Sequence, residues 1–557
     1  MSSPANIFGS LVVQVLTLLL LVRPIISGPT EAFDPREASI DSVHNALFNH
    51  LATCRHVVSS FISRIEEFNP VINAIISLNP EALSIADEMD ARIASGNVTG
   101  ALFCIPVLLK DNYDAVGMSA TGGCRALENN KPMVDAPSVK VLKDAGAIIL
   151  GKTNMHEMAL EGLSVSSFGG QTVNPYDHTR TPGGSSGGAG AAIATSFAIL
   201  GTGTDTVNSL RSPASANSLF SFRPTRGLIS RAGIIPVSFT QDAAGAMARN
   251  PKDLAVALTV MASIGYDPTD NTTALMPSEV GRGECSASLY GNFNLRGIRL
   301  GLLDGFYNHT ASAETTPVNG IMANIVSKLI AAGAQVLNIT DSIYNAVAIS
   351  ATLDVQTYEY RELLDAYLAQ PHVGGAPRPA SFGELYTGGD FLVIPSQYPY
   401  INAAFGSSTS SQGYSIAQRG IENLIQALHT TFTQNSLDAI IYPEQKNLVV
   451  KIGSPSQSGR NGILAALTGS PVVTVPVGFS HPSGDAPLGV PVGMEILGRP
   501  WTEDLLMDIA TYISELVPVR RMPVFANMTA EQKHYSDVPV IRPNSENIHP
   551  SYPLGVL

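Results

Sequence analysis

Residues 103–153 alternate between two kinds of segment. A short apolar run, "FCIPVLLKD", is followed by a helical stretch, "VKVLKDAGA", and then by a second apolar run, "AIILGKT". Short runs without polar alternation fit strands buried on both faces, and such strands need helices against both sides of their sheet. Strand, helix, strand order is the signature of an α/β fold. The pattern returns late in the chain, where "LDAIIYP", "SPVVTVPVGF" and "GVPVGMEILG" read as strands and "TEDLLMDIATYISEL" as an amphipathic helix. Residues 38–96 read as helices, with "SFISRIEEFNPVINAIISL" breaking at Asn69-Pro70 and then resuming. Between about 285 and 435 the signal is weaker, with helices expected at 314–333 and 415–434. No linker or repeat interrupts the chain, which points to one domain.

Composition narrows the class. Charged residues are only 14% of the 557, and hydrophobic residues 45%, so the chain must bury much of itself and is not disordered. The net charge of −13 is spread without long blocks of one sign, which disfavours nucleic acid as a partner.

The N-terminus carries "LVVQVLTLLLLV" at 11–22, followed by Arg23-Pro24 and the small residues Ser27 and Gly28. A run of about a dozen apolar residues has the length of a secretory h-region and falls short of the roughly 20 needed to cross a bilayer. The expectation is a signal peptide over 1–27 and a secreted mature chain over 28–557 with no stable membrane anchor; the n-region's lack of Lys or Arg keeps an anchor as the alternative. Asn97, Asn271, Asn308, Asn338 and Asn527 each begin an Asn-x-Ser/Thr sequon and could carry glycans in that compartment. Cys54, Cys104, Cys124 and Cys285 have no metal-like spacing; they read as buried thiols, with one disulfide allowed.

The stretch "TPGGSSGGAGAA" at 181–192 is a chemical signal. No Lys follows its glycines, so it is not a P-loop, and it fails the dinucleotide fingerprint. Gly184-Ser185-Ser186-Gly187-Gly188 does satisfy the nucleophile-elbow pattern, but an elbow must follow a strand directly. Here Arg180-Thr181-Pro182 precedes it, and none of His309, His372, His429 and His481 sits in a distinctive setting.

Three pieces taken together, "PVLLKDN" at 106–112, "GGSSGG" at 183–188 and "GTDTVNSLRSPAS" at 203–215, resemble the amidase signature family. "AIILGKTNMHEMA", "GGQTVNPYDHTRTPGG", "RPTRGLISRAGIIP" and "GVPVGMEILGRPW" extend the resemblance from about residue 40 to 516. It implies a single α/β/α layered domain around a large mixed β-sheet, with its signature core at about 103–250. It also implies a Ser-Ser-Lys triad with Lys110 as base, Ser185 as the bridging serine after a cis peptide, and Ser209 as nucleophile. Backbone N–H groups of Thr206, Val207, Asn208 and Ser209 would form the oxyanion hole. No metal or cofactor is implied.

These roles are physically sensible. A serine hydroxyl is a poor nucleophile until a base takes its proton, and a lysine can serve only when burial keeps its amine neutral. Lys110 ends the apolar run "IPVLL". Alone, such a lysine reads as a snorkelling surface residue; beside the other two pieces it reads as the base. Ser186 is expected to give supporting hydrogen bonds, and Asp205 with Arg211 a structural ion pair. Lys152 and His156 read as structural, since His156-Glu157 does not extend to HExxH.

One departure stands out. The family usually has two glycines before the nucleophile, where this chain has Val207 and Asn208. A β-branched valine disfavours positive φ, so the hole must use ordinary dihedrals or be reshaped. "SPASANSLFSFRPT" after Arg211 also lacks the usual Cys-Gly and glycine-rich run. The expected function is hydrolysis of a small-molecule amide through an acyl-enzyme. Two alternatives are an amidase fold with weakened catalysis used for acyl transfer or binding, and a glutaminase-type amidotransferase subunit. The amide itself and the oligomeric state are not legible.

Overall fold

The computed structural model describes residues 33–277 and 293–553. Eleven strands form one mixed sheet. In chain order they are β1 (Ile75–Leu78), β2 (Ile105–Lys110), β3 (Ala147–Thr153), β4 (Leu200–Asp205), β5 (Phe220–Arg223), β6 (Ala243–Ala248), β7 (Arg299–Leu303), β8 (Gln335–Ile339), β9 (Ala439–Pro443), β10 (Val472–Phe479) and β11 (Pro491–Leu497). Their order across the sheet is β1-β3-β2-β4-β6-β5-β10-β11-β9-β7-β8. β2 runs parallel to both β3 and β4, whereas β4 meets β6 and β10 meets β11 antiparallel.

The central strands confirm the apolar-run reading. Every residue of β2, β3, β4, β6, β9 and β11 is buried, which requires cover on both faces. That cover comes from helices. Gly187–Ala194 packs on β2, β3, β4 and β6, Pro251–Ala262 on β4, β5 and β6, and Glu503–Leu516 on β10 and β11. The helices expected at 314–333 and 415–434 run over Thr316–Ala331 and Gln412–Gln434.

One expectation fails. The helix Cys54–Ile72 passes through Pro70 instead of breaking at Asn69-Pro70, and the next element is strand β1, not resumed helix. Pro70 sits in the last turn, where its missing N–H removes a single hydrogen bond. Asn69 then turns the chain: its Oδ1 accepts from the N–H groups of Ala74 and Ile75 at 2.8 and 2.9 Å. Ile75–Leu78 is thereby delivered to pair with β3.

Cys54 and Cys104 form a disulfide that ties the start of this helix to the residue before β2. Cys124 is a buried free thiol. Cys285 and the expected signal segment lie outside the described residues. No helix among the described residues is long and apolar enough to cross a membrane.

Candidate active site

β2 delivers Lys110 to the interior at its C-terminal end, where the side chain is fully buried. Its Nζ lies 2.7 Å from Ser185 Oγ and 2.7 Å from Thr204 Oγ1. Asn112 Nδ2 donates to the same threonine hydroxyl at 3.1 Å, which fixes the lysine's second partner. Burial lowers the lysine pKa to about 7, against the opposing pull of Asp205 and Asp242. An amine with two hydroxyls in reach and no carboxylate bonded to it is suited to hold and release a proton near neutrality.

Ser185 follows a cis peptide bond from Gly184, and its carbonyl accepts from His156 N–H at 3.0 Å. The surrounding glycines answer to close packing. Gly183 has φ +71°, and a Cβ on Gly188 would lie 2.2 Å from the Asn154 carbonyl oxygen. No larger residue fits either place. Past Ser186 the chain enters the all-buried helix Gly187–Ala194.

Ser186 ties the loop to the third serine. Its N–H donates to the Ser209 carbonyl at 3.1 Å, and its Oγ donates to the Thr204 carbonyl at 3.3 Å. Ser209 itself lines a cleft of about 550 Å³ with Thr206, Val207, Tyr400, Asp354 and Arg460. Lys110 thus meets Ser185, and the adjacent Ser186 meets Ser209, across a hundred residues of sequence.

The segment 206–209 carries Val207 and Asn208 in ordinary backbone conformations. None of its residues adopts a positive φ. Each of its four carbonyls is engaged: Thr206 by Gln241 Nε2 at 3.4 Å, Val207 by Arg211, Asn208 by Ser212 N–H at 2.8 Å and Ser209 by Ser186. The amide N–H groups of the same four residues meet no acceptor among the described residues. Their dihedrals are ordinary and their N–H groups remain uncommitted among the described residues.

A buried charge cluster anchors the segment. Arg211 donates to Asp205 Oδ1 and Oδ2 at 3.0 Å each and to Glu495 Oε2 at 2.7 Å, while Arg223 reaches Asp205 Oδ1 at 2.7 Å. Burial raises the Asp205 pKa, but Arg211 and Arg223 outweigh it and hold the carboxyl well below the usual range. Removing one member of a buried pair leaves the rest uncompensated. Arg211→Leu should therefore cost about 3–5 kcal/mol of stability, read by denaturant unfolding. An unfolding curve superposable on wild type would refute the anchoring role.

The Lys152 and His156 side chains bond to groups other than these serines. Lys152 Nζ donates to the Tyr113 carbonyl at 2.6 Å, and burial lowers the His156 pKa to about 4, leaving a neutral ring. Among the described residues no group of three His, Cys, Asp or Glu is placed to hold a metal ion.

Sequence reasoning overlooked Thr204, Asn112, Asp242, Glu444 and Glu495. Thr204 had a signal: Thr202 and Thr204 are two apart on a strand and share a face, and both meet Lys110, Thr202 through the Lys110 N–H at 3.1 Å. Glu495 had one too, as an acid inside the apolar run "GVPVGMEILG".

With the geometry in place, comparison with known proteins assigns the chain. The sequence model of the family described as Amidase matches residues 56–507. The chain belongs to the amidase family. It is 30% identical over 495 residues to mandelamide hydrolase of Pseudomonas putida, covering 85% of this chain and 90% of that protein. It is 35% identical over 303 residues to a glutamyl-tRNA(Gln) amidotransferase subunit of Bdellovibrio bacteriovorus, which is 54% of this chain and 60% of that protein. The native peptide amidase of Stenotrophomonas maltophilia superposes with a TM-score of 0.76 at 30% identity, over 88% of this chain and 99% of that one. The fold is that of the amidase signature structures, and the protein is an amidase-family hydrolase.

Proposed function

We propose that this amidase hydrolyses a small polar amide through an acyl-enzyme on Ser209, using Ser185 and Lys110 as its proton relay. Ser209 Oγ attacks the carbonyl carbon as its proton passes to Ser185, whose own proton passes to neutral Lys110. The proton returns by the same route to the amine nitrogen as the C–N bond breaks. Water then attacks the acyl-serine, releasing the acid and restoring Ser209. The N–H groups of residues 206–209 stabilise the oxyanion, an electrostatic contribution worth about 10²–10³ in rate per donor. The observation that carries this reading is the 2.7 Å contact between the fully buried Lys110 amine and Ser185.

Ion-pairing side chains border the cleft, with Arg460 3.2 Å from Glu161 and Asp354 on the same wall. They favour an amide with polar groups, in keeping with the peptide amidase likeness. A serine-directed acylating probe, followed by peptide mass spectrometry, should place its adduct on Ser209. An adduct on another serine, or none while amides are turned over, would overturn the reading. The amidotransferase likeness supports a second reading as an ammonia-releasing subunit, and copurification of a synthetase-like partner would favour it.

We also infer that the chain is secreted. The Cys54–Cys104 disulfide suits an oxidising compartment, and all five sequon asparagines are exposed. Expressed in a eukaryotic host, the protein should begin near Gly28 and lose mass on endoglycosidase treatment. Protein that stays with the cells, unglycosylated and with residues 1–27 intact, would refute this.

A further inference from the structure

We infer that Glu444 is a positioning residue for the reaction, holding the oxyanion segment in place through Asn208. Asn208 Nδ2 donates to Glu444 Oε1 at 3.0 Å, 236 residues away in sequence. Asn208 and Glu444 are 1% and 0% exposed, so water does not replace the bond. Glu444 is itself immobilised on both sides. Its N–H donates to the Gly493 carbonyl at 3.1 Å and its carbonyl accepts from Asn461 N–H at 3.2 Å. Asn461 Nδ2 in turn donates to the preceding Pro443 carbonyl at 2.9 Å.

The pairing fits the departure at residues 207–208. A pair of glycines would leave the backbone beside the nucleophile without side-chain anchors. In this chain every side of the segment is tied: Thr206 Oγ1 donates to Asp242 Oδ1 at 2.6 Å, the four carbonyls are engaged as described, and Asn208 is tied to the end of β9. Asn208 is thus joined to an acid just past the end of a distant strand.

Charge supports the same role. Asp205, Glu444, Glu495, Arg211 and Arg223 are all fully buried, three carboxyls against two guanidiniums. Burial and the nearby Glu495 charge push the Glu444 carboxyl up, and an uncharged Glu444 leaves the cluster neutral. A carboxylic acid still accepts from Asn208 through its carbonyl oxygen, as a glutamine in its place could.

This inference rests on Ser209 being the nucleophile, and its test separates the two claims. Steady-state kinetics on the full chain, with kcat expressed per probe-reactive site, are compared for wild type, E444A, E444Q, N208A and the double variant N208A/E444A. Misplacement of catalytic groups by about 1 Å costs about 10² in rate, so E444A and N208A should each lose about that factor in kcat with KM within about threefold of wild type. E444Q should recover most of the loss, and the double variant should lose no more than either single change, as coupled sites do. A merely structural Glu444 would lower the melting temperature and leave kcat per reactive site unchanged. The inference is overturned if folded E444A turns over like wild type, or if E444Q is as impaired as E444A. Should E444A not fold, N208A with wild-type kcat overturns it. An S209A variant that stays active removes the nucleophile assignment and this inference with it, whereas an inactive S209A beside a normal E444A removes only the inference.

Discussion

Lys110→Ala should lower kcat by about 10²–10⁴, the usual contribution of a positioned general base, while the protein still folds. The loss should carry a pH signature. With its pKa lowered to about 7 by burial, Lys110 is protonated and useless as a base in acid and neutral above that point. Wild-type kcat/KM should therefore rise with pH through about 7, and Lys110→Ala should lack that ascending limb. Stability should move the other way from the usual loss of a contact. The folded-state pKa lies below the unfolded value of 10.5, so unfolding takes up a proton between the two and native stability grows as pH rises across that window. Below it, a buried charged lysine burdens the fold, and removing the amine relieves that burden. A Lys110→Ala enzyme with near-normal turnover across neutral pH would sink the base assignment.

Ser209→Ala should have the larger effect. Deleting a nucleophile that acts as one unit with its base removes on the order of 10⁶ in kcat, and residual catalysis comes from binding and the oxyanion donors alone. Labelling by acylating probes should vanish together with hydrolysis. Because the relay works as a unit, Lys110→Ala combined with Ser209→Ala should be no slower than Ser209→Ala by itself. The change removes one small hydroxyl at the cleft, and the Ser186 N–H bond to the residue 209 carbonyl, 3.1 Å in the wild type, does not depend on the side chain. Circular dichroism and melting should match wild type. Substantial turnover by Ser209→Ala would place the chemistry on another group.

Much of this site could be located from residue order because its parts are short and local. "PVLLKDN" predicts a buried strand ending in a lysine, and β2 ends at Lys110. The glycines of 183–188 marked the loop as a chemical signal, and the structure adds that they pack closely, as Gly188 does against Asn154. The Asp205–Arg211 pair spans six residues and was readable on the same ground. The helix through Pro70 was not, because the outcome hung on Asn69 capturing two amides beyond the helix end. Periodicity cannot weigh such a bond against helix propagation.

What the sequence alone determined is the class of fold and the family, and with them the candidate groups at the site. Unbroken apolar runs force a sheet covered on both faces, and the motifs around the lysine, the serine pair and the later serine resemble the family whose model the chain matches. What only the tertiary structure decided is how those groups behave. Burial lowers the Lys110 pKa to about 7 because strands and loops from distant segments exclude water from it, against the pull of Asp205 and Asp242. Residues 206–209 avoid positive φ, and Gln241, Arg211 and Glu444, up to 236 residues away, bond to the segment from outside. Desolvation and long-range hydrogen bonding depend on which surfaces meet after folding, and local residue order carries no record of that meeting.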